Sequence, residues 1–295
     1  MLTLKTSDLT PVQIQNYLLY AIAPRPICFA STIDLAGNVN LSPFSYFNLF
    51  SVNPPICIFS PARRVRGNTT KHTYENLLEV PECVINIVNY ELVQQTSLAS
   101  TEYPKGVNEF VKAGLTELKS ELVKPPRVAE APVQLECVVK QIIPLGNGAG
   151  AGNLIIAEIK IIHISEHILN EEGNIDQEKI DLVARLGGDW YCRVTNENLF
   201  KIAKPLAKIG IGIDALPHFV KNSVVLTGND LGQLGNVESL PSEEEVEELM
   251  LDSDIRDLID STIGDPHTRT IALHNKAKEL LKMGDVVKAW KVLLI

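Results

Sequence analysis

The chain has 295 residues, of which 45% are apolar, and its formal net charge is -9 at pH 7. This length suffices for one large domain with an appendage, and the apolar share is enough to form a core. The acidic balance argues against nucleic acid as a partner, because phosphate contacts require a basic face. No run of about 18 apolar residues is present, so no transmembrane helix is expected.

The N-terminal segment MLTLKTSDLT shows no basic region followed by an apolar stretch, so we expect no signal peptide. The cysteines are odd in number, far apart and mostly inside apolar runs: Cys28, Cys57, Cys83, Cys137 and Cys192. This pattern is typical of reduced, buried thiols in a cytoplasmic protein, and no metal site is predicted.

The first predicted elements are an entry helix and a hairpin. Residues 7–19 are predicted to be helical, with Ser7 or Thr10 as the N-cap and Pro11 at the first helical position. The segments RPICFAST and VNLSPFSYFN flank the turn DLAGN, and each is predicted to be one strand of a hairpin.

Strands and short helices follow. Strands are predicted over residues 56–60, in CVINIVN, and over residues 133–145 and 154–165, and helices over residues 73–80, 91–99 and 106–113. Tight turns rather than long helices join many of these strands. With at least six strands in the first two hundred residues, this favours an antiparallel barrel over a doubly wound parallel sheet.

The glycines between residues 146 and 152 suggest a dinucleotide-binding turn, but they lie between two predicted strands. A Rossmann turn lies between a strand and a helix, so this run is interpreted as a hairpin loop. His163 and His167 would lie about 13 Å apart on a strand, too far to share a metal ion. They are interpreted as surface histidines or as histidines with hydrogen-bond partners.

The C-terminal part has a different pattern. We predict a barrel domain over residues 1–205, a connector or lid over residues 206–240 and a helical extension over residues 241–295. Ser242 and Glu245 form a capping box at the start of this extension. Its acidic first part and basic second part could pair as a helical hairpin, although simply solvated faces are favoured.

Polar residues in two segments indicate a binding site. The segment NVNLSPFSYFN carries short hydrogen-bonding side chains where a solvated strand usually carries longer ones. In NTTKHTYENL, Lys71 stands among threonines just before a helix, whose first N–H groups can bind an anion. An ordinary N-cap at Thr70 or Thr73 is the alternative. Nearby, Arg63, Arg64 and Arg66 could meet a pyrophosphate, but a solvated loop is favoured.

Several segments occur in a characteristic order: RPICFASTIDLAGNVNLSPFSYFNLFSVNPPICIFSP, KHTYENLLEVPECVINIV, GVNEFVKAGLT, PPRVAEAPVQLEC and ARLGGDWY. Together they resemble the flavin reductase-like family of FMN-binding split barrels, over roughly residues 15–195. The resemblance implies a six-stranded antiparallel split β-barrel, a homodimer, and FMN bound near the subunit interface. FMN is favoured over FAD. The tail lies outside the resemblance.

The resemblance also implies which residues bind the cofactor: Ser31, Thr32, Asn40, Ser42, Pro43, Phe44, Ser45, Ser60, Lys71, Thr73, Asn76 and Arg185. Ser31 and Thr32 would lie beside the flavin or its ribityl chain. The ring edge and the phosphate side would be held by Asn40, Ser42 and Ser45, together with backbone N–H groups at Pro43–Phe44. Pro43 itself offers no N–H group. The phosphate end would be completed by Ser60, Lys71, Thr73 and Asn76. Arg185 would approach from the far side.

The function implied is an NAD(P)H-dependent flavin reductase, in which a reduced nicotinamide passes hydride to flavin N5. No side-chain acid or base is required for this step, so no catalytic residue is assigned. Two alternatives remain open at this point. One is a flavoredoxin-type FMN electron carrier that serves a protein partner, and the other is a split barrel that binds without catalysis.

Overall fold

The computed structural model describes residues 1–202, 204–205 and 209–295. They form two compact units, Met1–Phe200 and Lys201–Ile295. Residues 206–208, where the predicted connector begins, lie outside the described residues. The use of residues 206–240 as a connector or lid stays a prediction.

The first unit is built mainly of strands. Their bounds are β1 Arg25–Pro26, β2 Cys28–Ile33, β3 Val39–Phe44, β4 Phe47–Val52, β5 Pro55–Phe59, β6 Glu82–Ile87, β7 Glu117–Leu118, β8 Arg127–Val128, β9 Val133–Pro144, β10 Asn153–Ile164, β11 Val183–Arg185 and β12 Tyr191–Arg193. Its helices are α1 Pro11–Ala21, α2 His72–Glu79, α3 Val93–Ala99 and α4 Glu109–Ala113.

Residues 1–200 are all described, and seven of their strands form one antiparallel sheet in the order β3-β2-β6-β9-β10-β5-β4. Six strands were predicted. The difference arises where VNLSPFSYFN was assigned to one strand. The chain bends at Ser45 and Tyr46, so β3 ends at Phe44 and β4 begins at Phe47. The bend gives the sheet its seventh strand.

The two predicted hairpins are confirmed. Strands β2 and β3 pair in register, with Thr32 opposite Asn40, and Gly37 has a φ of +89° in the turn between them. Glycine adopts this left-handed conformation without the strain that a side chain brings. Strands β9 and β10 pair along their length, and the glycine-rich residues 145–152 join them.

The core of the sheet is apolar and includes four thiols. Phe29 and Phe59 are fully buried. Strands β2, β5, β6 and β9 each contribute one buried cysteine to a single cluster: Cys28, Cys57, Cys83 and Cys137. Cys83 and Cys137 lie directly opposite each other on neighbouring strands. All four are free thiols, as predicted.

A buried carboxylate fixes the loop before β8. The fully buried Glu136 accepts hydrogen bonds from the N–H groups of Glu121, Leu122 and Val123 at 2.8, 2.7 and 3.1 Å. Nε2 of His163 lies 2.8 Å from the same carboxylate. Burial alone would raise the pKa of Glu136, but these hydrogen bonds outweigh it and lower the pKa below its ordinary value.

The lowered pKa of Glu136 predicts how the free energy of unfolding depends on pH. A carboxyl whose folded pKa is depressed stabilises the fold above its unfolded pKa and loses that effect as the pH falls through the folded pKa. We expect Glu136→Gln to lower the free energy of unfolding by about 1.5–3 kcal/mol at pH 7, because Gln cannot accept these bonds as a charged group. Urea denaturation from pH 7 to pH 4 should show the difference shrinking as the pH falls.

The matched control is Glu130→Gln, which changes an exposed carboxylate that accepts a bond from Thr116. Its effect should stay within about 0.5 kcal/mol at every pH. Equal effects of the two variants would contradict the role assigned to Glu136.

The second unit is helical. Its helices are α5 His218–Lys221, α6 Gly228–Leu234, α7 Glu243–Leu249, α8 Ser253–Asp260, α9 Pro266–Lys282 and α10 Val286–Leu293. They bury one apolar cluster around Trp290, which is fully buried and whose indole N–H donates to the carbonyl of Leu234 at 3.0 Å. Ser242 and Glu245 form the predicted capping box of α7. Among the described residues, no helix is long and apolar enough to cross a bilayer.

Among the described residues, two ion pairs join the acidic and basic parts of the tail. Lys288 lies 3.1 Å from Asp252, and Lys291 lies 3.5 Å from Glu245. The sequence favoured solvated faces for both charged parts. This expectation holds only in part, because α10 directs two lysines toward the acidic helices. Ion pairs that are still partly in contact with solvent contribute little stability each, so burial of Trp290 matters more for the unit.

Candidate functional site

Two adjoining pockets form a cleft along β3, the strand at one edge of the sheet. The first, here called the Lys71 pocket, measures about 30 Å³ and lies beside the start of α2. The second, the Arg185 pocket, measures about 170 Å³. Ser100 lines both pockets, and β3 passes from one to the other between Ser42 and Pro43. An edge strand has unpaired backbone groups on one side, which makes this a suitable place for ligand contacts.

The Lys71 pocket unites four of the predicted residues: Asn40, Ser42, Lys71 and Thr73. The amide of Asn40 donates to the hydroxyl of Thr73 at 3.0 Å, and this bond ties β3 to the first turn of α2. Both side chains are buried. This bond thus fixes the distance between β3 and the start of α2, which both line the pocket.

The start of α2 differs from the ordinary cap that was considered at Thr70 or Thr73. The N-cap residue is Lys71, and no side chain caps the helix. The hydroxyl of Thr70 donates to Glu75 at 2.6 Å, and that of Thr73 accepts from Asn40, so both are engaged elsewhere. The first N–H groups of α2 therefore lack a capping side chain, which leaves them suited to an anion.

Positive charge collects at this pocket. Burial lowers the pKa of Lys71, and the neighbouring charge of Arg64 lowers it further. Burial also lowers the pKa of His72. The guanidinium of Arg64 donates to the carbonyl of Thr70 and forms an ion pair with Glu102, with Nε to Oε1 at 3.1 Å. A bound anion would relieve the mutual repulsion of Lys71 and Arg64.

A buried carboxyl stands at the back of the same pocket. Glu109, at the start of α4, is 5% exposed and accepts the N–H of Leu41 at 2.9 Å. Burial raises its pKa, although this hydrogen bond works in the opposite direction. Glu109 thereby takes the place of a neighbouring strand at the free edge of β3 and holds Asn40 and Ser42 in position.

The Arg185 pocket unites four other predicted residues: Pro43, Phe44, Ser45 and Arg185. The guanidinium of Arg185 lies over the ring of Tyr191, 4.5 Å from its centroid, and donates to the carbonyl of Gly188. Phe44 is buried and packs against Phe59 with ring centroids 5.2 Å apart. The pocket therefore combines apolar walls with one cation.

The remaining predicted residues lie outside these two pockets and hold structure together. Ser31 donates to the carbonyl of Pro126, and Ser60 accepts the N–H of Asn153 at 3.1 Å. Thr32 accepts from the amide of Asn76 at 3.2 Å, which joins β2 to α2. Direct ligand contacts by these four side chains stay a prediction.

Comparison with known proteins identifies the family. A family model described as a flavin reductase like domain matches residues 20–179, more than half of the chain. The chain belongs to the flavin reductase-like family. An uncharacterized protein of Aquifex aeolicus is 37% identical over 189 residues, which cover 64% of this chain and 94% of that protein.

Two solved structures are similar to this flavin reductase-like chain. Nitrilotriacetate monooxygenase component B from Bacillus cereus is 30% identical, with a TM-score of 0.64 over 68% of this chain and 98% of that one. A protein with a split barrel domain from Shewanella frigidimarina is 25% identical, with a TM-score of 0.57 over 67% of this chain and 96% of that one. The predicted split barrel with a C-terminal helical extension is thus confirmed, with seven strands in its sheet.

The flavin reductase-like match contains all of the Lys71 pocket and most of the Arg185 pocket. Arg185 and Tyr191 lie beyond its end at residue 179. Sequence reasoning missed several lining residues: Arg64, Ser97, Ser100, Thr101, Glu102, Tyr103, Glu109 and Tyr191. The hydroxyl side chains of Ser97, at the end of α3, and of Ser100 and Thr101, just beyond it, were a usable signal for this segment. Arg64 was assigned to a solvated loop. Residues 65–69 of that loop are exposed, but Arg64 itself is half-buried and lines the pocket.

Proposed function

We propose that this protein binds FMN in the cleft along β3 and acts as an NAD(P)H-dependent flavin oxidoreductase. One observation carries the proposal: the uncapped start of α2 lies beside Lys71 and faces the hydrogen-bonding side chains of β3. FMN has a single phosphate at the end of its ribityl chain. One compact cationic pocket next to a larger, more apolar one suits this shape better than the longer diphosphate of FAD.

The residues present fit the cofactor. Lys71 and the first N–H groups of α2 would bind the phosphate, with Asn40 and Ser42 donating from β3. Pro43, Phe44 and Ser45 would line one side of the isoalloxazine ring, and Arg185 would bind its polar edge. When bound, the flavin would accept a hydride at N5 from the reduced nicotinamide. The chain's own task is to hold the ring at a fixed place and to keep water from it.

The decisive experiment is a titration of the flavin-stripped protein with FMN, followed by anaerobic addition of NADH or NADPH. Saturable quenching of flavin fluorescence, then bleaching of the absorption near 450 nm at a rate that depends on the nicotinamide, would support the proposal. Tight binding without reduction by either nicotinamide would favour an electron carrier. An absence of binding at high micromolar FMN would overturn the assignment of the cleft.

Glu102 is expected to oppose binding of the phosphate. Its carboxylate pairs with Arg64 at the pocket, with Nε to Oε1 at 3.1 Å, and so places a negative charge next to the proposed phosphate position. We expect Glu102→Gln to strengthen FMN binding by about twofold to fivefold, because a neutral side chain releases Arg64 and removes repulsion of the phosphate. Isothermal titration calorimetry measures the change.

Glu91→Gln removes one exposed carboxylate of the same unit and serves as the control. It should leave the affinity for FMN unchanged. Weaker binding by Glu102→Gln would show that Glu102 supports the cofactor site instead of opposing it.

We also propose a homodimer, with β4 in the interface. Leu49, Phe50 and Val52 are 53%, 65% and 79% exposed, and β4 is an edge strand of the sheet. Exposed apolar edge strands tend to pair with another chain. The proposed dimer would cover these side chains.

A cytoplasmic location stays a prediction.

Phe50→Glu is expected to convert the dimer into a monomer, because the interface would have to bury a charge. Light scattering after size-exclusion chromatography reports the molar mass directly. Leu35→Glu, at the exposed turn between β2 and β3, is the control and should leave the mass unchanged. A wild-type mass near 32.5 kDa would refute the dimer outright.

A further inference from the structure

The helical unit contains a cleft that the flavin function does not use. It measures about 390 Å³ and lies between α5, α9 and the end of α10. Phe219, Leu273, Leu293 and Leu294 form apolar walls. This volume falls within the range of about 300–1,000 Å³ that is usual for small-molecule sites. Such sites combine apolar walls with a few fixed polar groups, and the cleft has two of these, on Arg269 and His274.

The hydrogen bonds of Ser223 fix the tautomer of His274. The Ser223 hydroxyl oxygen accepts the N–H groups of Val225 and Leu226, each at 3.1 Å, so both of its lone pairs are used. Its own proton must therefore point at Nδ1 of His274, which lies 2.7 Å away. Nδ1 is the acceptor in this bond, and the proton of the neutral imidazole resides on Nε2.

His274 is held in this neutral form. It is 4% exposed, and burial lowers its pKa. Protonation would place a second hydrogen between Nδ1 and an oxygen whose lone pairs are already occupied. The ring also lies against Phe219, with centroids 6.5 Å apart and planes inclined by 29°. The imidazole is thus a rigid side chain in the lining of the cleft, and its one N–H donor is Nε2, the nitrogen that Ser223 does not engage.

Arg269 supplies the second donor group. It lies on α9 one turn before Leu273, is half-buried and lines the same cleft. Within the described parts of the helical unit, no ion pair or side-chain hydrogen bond engages its guanidinium. The hydroxyl of Thr270 has already donated to the carbonyl of Pro266 at 2.9 Å. The polar side of the cleft therefore offers a cation and a neutral N–H donor.

From this arrangement we propose that the cleft binds a small organic carboxylate with an apolar body. A planar carboxylate has acceptor positions for both the guanidinium and the imidazole N–H, and its apolar part would lie against Phe219 and the leucines. A free inorganic anion would leave those apolar walls exposed to water. The site lies within residues 201–295 and is independent of the proposed binding of FMN.

The test uses the full chain and 4-(trifluoromethyl)benzoate, whose fluorine signal is followed by ¹⁹F NMR. We expect saturable binding of the benzoate. The alcohol 4-(trifluoromethyl)benzyl alcohol should bind at least about tenfold more weakly, because it lacks the charge-assisted pair with Arg269. Inorganic phosphate should also bind at least about tenfold more weakly, because it lacks the apolar contacts. Arg269→Gln should weaken benzoate binding by about tenfold or more. His274→Gln, which keeps an N–H donor, should weaken it less than His274→Ala.

The control variant is Lys282→Gln, which removes one exposed positive charge from the same helix. It should not change the affinity, so a general effect of charge is separated from the site. Circular dichroism verifies that each variant keeps its helices. Equal binding of the alcohol and the benzoate, unchanged binding in Arg269→Gln, or no binding at millimolar benzoate would each overturn the proposal. FMN binding measured on the same samples tests the other site separately.

Discussion

Replacing Lys71 with glutamine is expected to weaken FMN binding by about 1.5–3 kcal/mol, or roughly tenfold to a hundredfold. Lys71 is the N-cap residue of α2 and lines the pocket proposed to hold the phosphate, so its loss removes a charge-assisted hydrogen bond. Fluorescence titration of the flavin-stripped variant gives the dissociation constant.

The pH dependence offers a second measurement of the same residue. Burial and the charge of Arg64 lower the pKa of Lys71, so the free protein loses this positive charge at a lower pH than for an exposed lysine. The affinity of the wild type should fall as the pH rises through that pKa, and Lys71→Gln should lack this dependence. Lys119→Gln, at an exposed lysine, is the matched control. Equal affinities for all three proteins would contradict the proposed phosphate site.

Replacing Trp290 with alanine is expected to destabilise the helical unit by about 3–5 kcal/mol. The indole is fully buried among helices α6, α9 and α10, and its N–H satisfies the carbonyl of Leu234. The substitution leaves a large cavity and an unpaired carbonyl. Hydrogen exchange followed by mass spectrometry should show faster exchange in peptides from residues 266–293.

Trp190, the other tryptophan of the chain, provides the comparison. Trp190 is 70% exposed and belongs to the first unit, so Trp190→Ala should change stability by no more than about 0.5 kcal/mol. Unchanged exchange in the helices of Trp290→Ala would show that the apolar cluster does not depend on this ring.

The strands were predictable because local patterns decide them. The turn DLAGN and the glycine-rich run at 145–152 each lie between apolar segments, and both became hairpins. The bend at Ser45 and Tyr46 was not predictable in this way. Nothing in the alternation of VNLSPFSYFN marks a change of strand, since the bend depends on how β4 pairs with β5.

The candidate site was predictable in part for a similar reason. Asn40, Ser42, Lys71 and Thr73 belong to segments whose composition already suggested binding, and they do lie together. The uncapped start of α2 was not foreseen. Thr70 and Thr73 are good capping residues in isolation, but Glu75 and Asn40 engage their hydroxyls in the folded chain. Glu109 reaches β3 from a distant segment, and no local pattern indicates that contact.

The burial of four thiols in the sheet core makes the rate of thiol modification a measure of how often the barrel opens. Cys28, Cys57, Cys83 and Cys137 are each no more than 1% exposed, whereas Cys192 is partly exposed. A thiol reagent should therefore modify one cysteine per chain quickly and the other four only when the sheet opens. The slow phase would then report the opening rate of the barrel in unlabelled, unmutated protein, and a bound cofactor that stabilises the barrel would lengthen it.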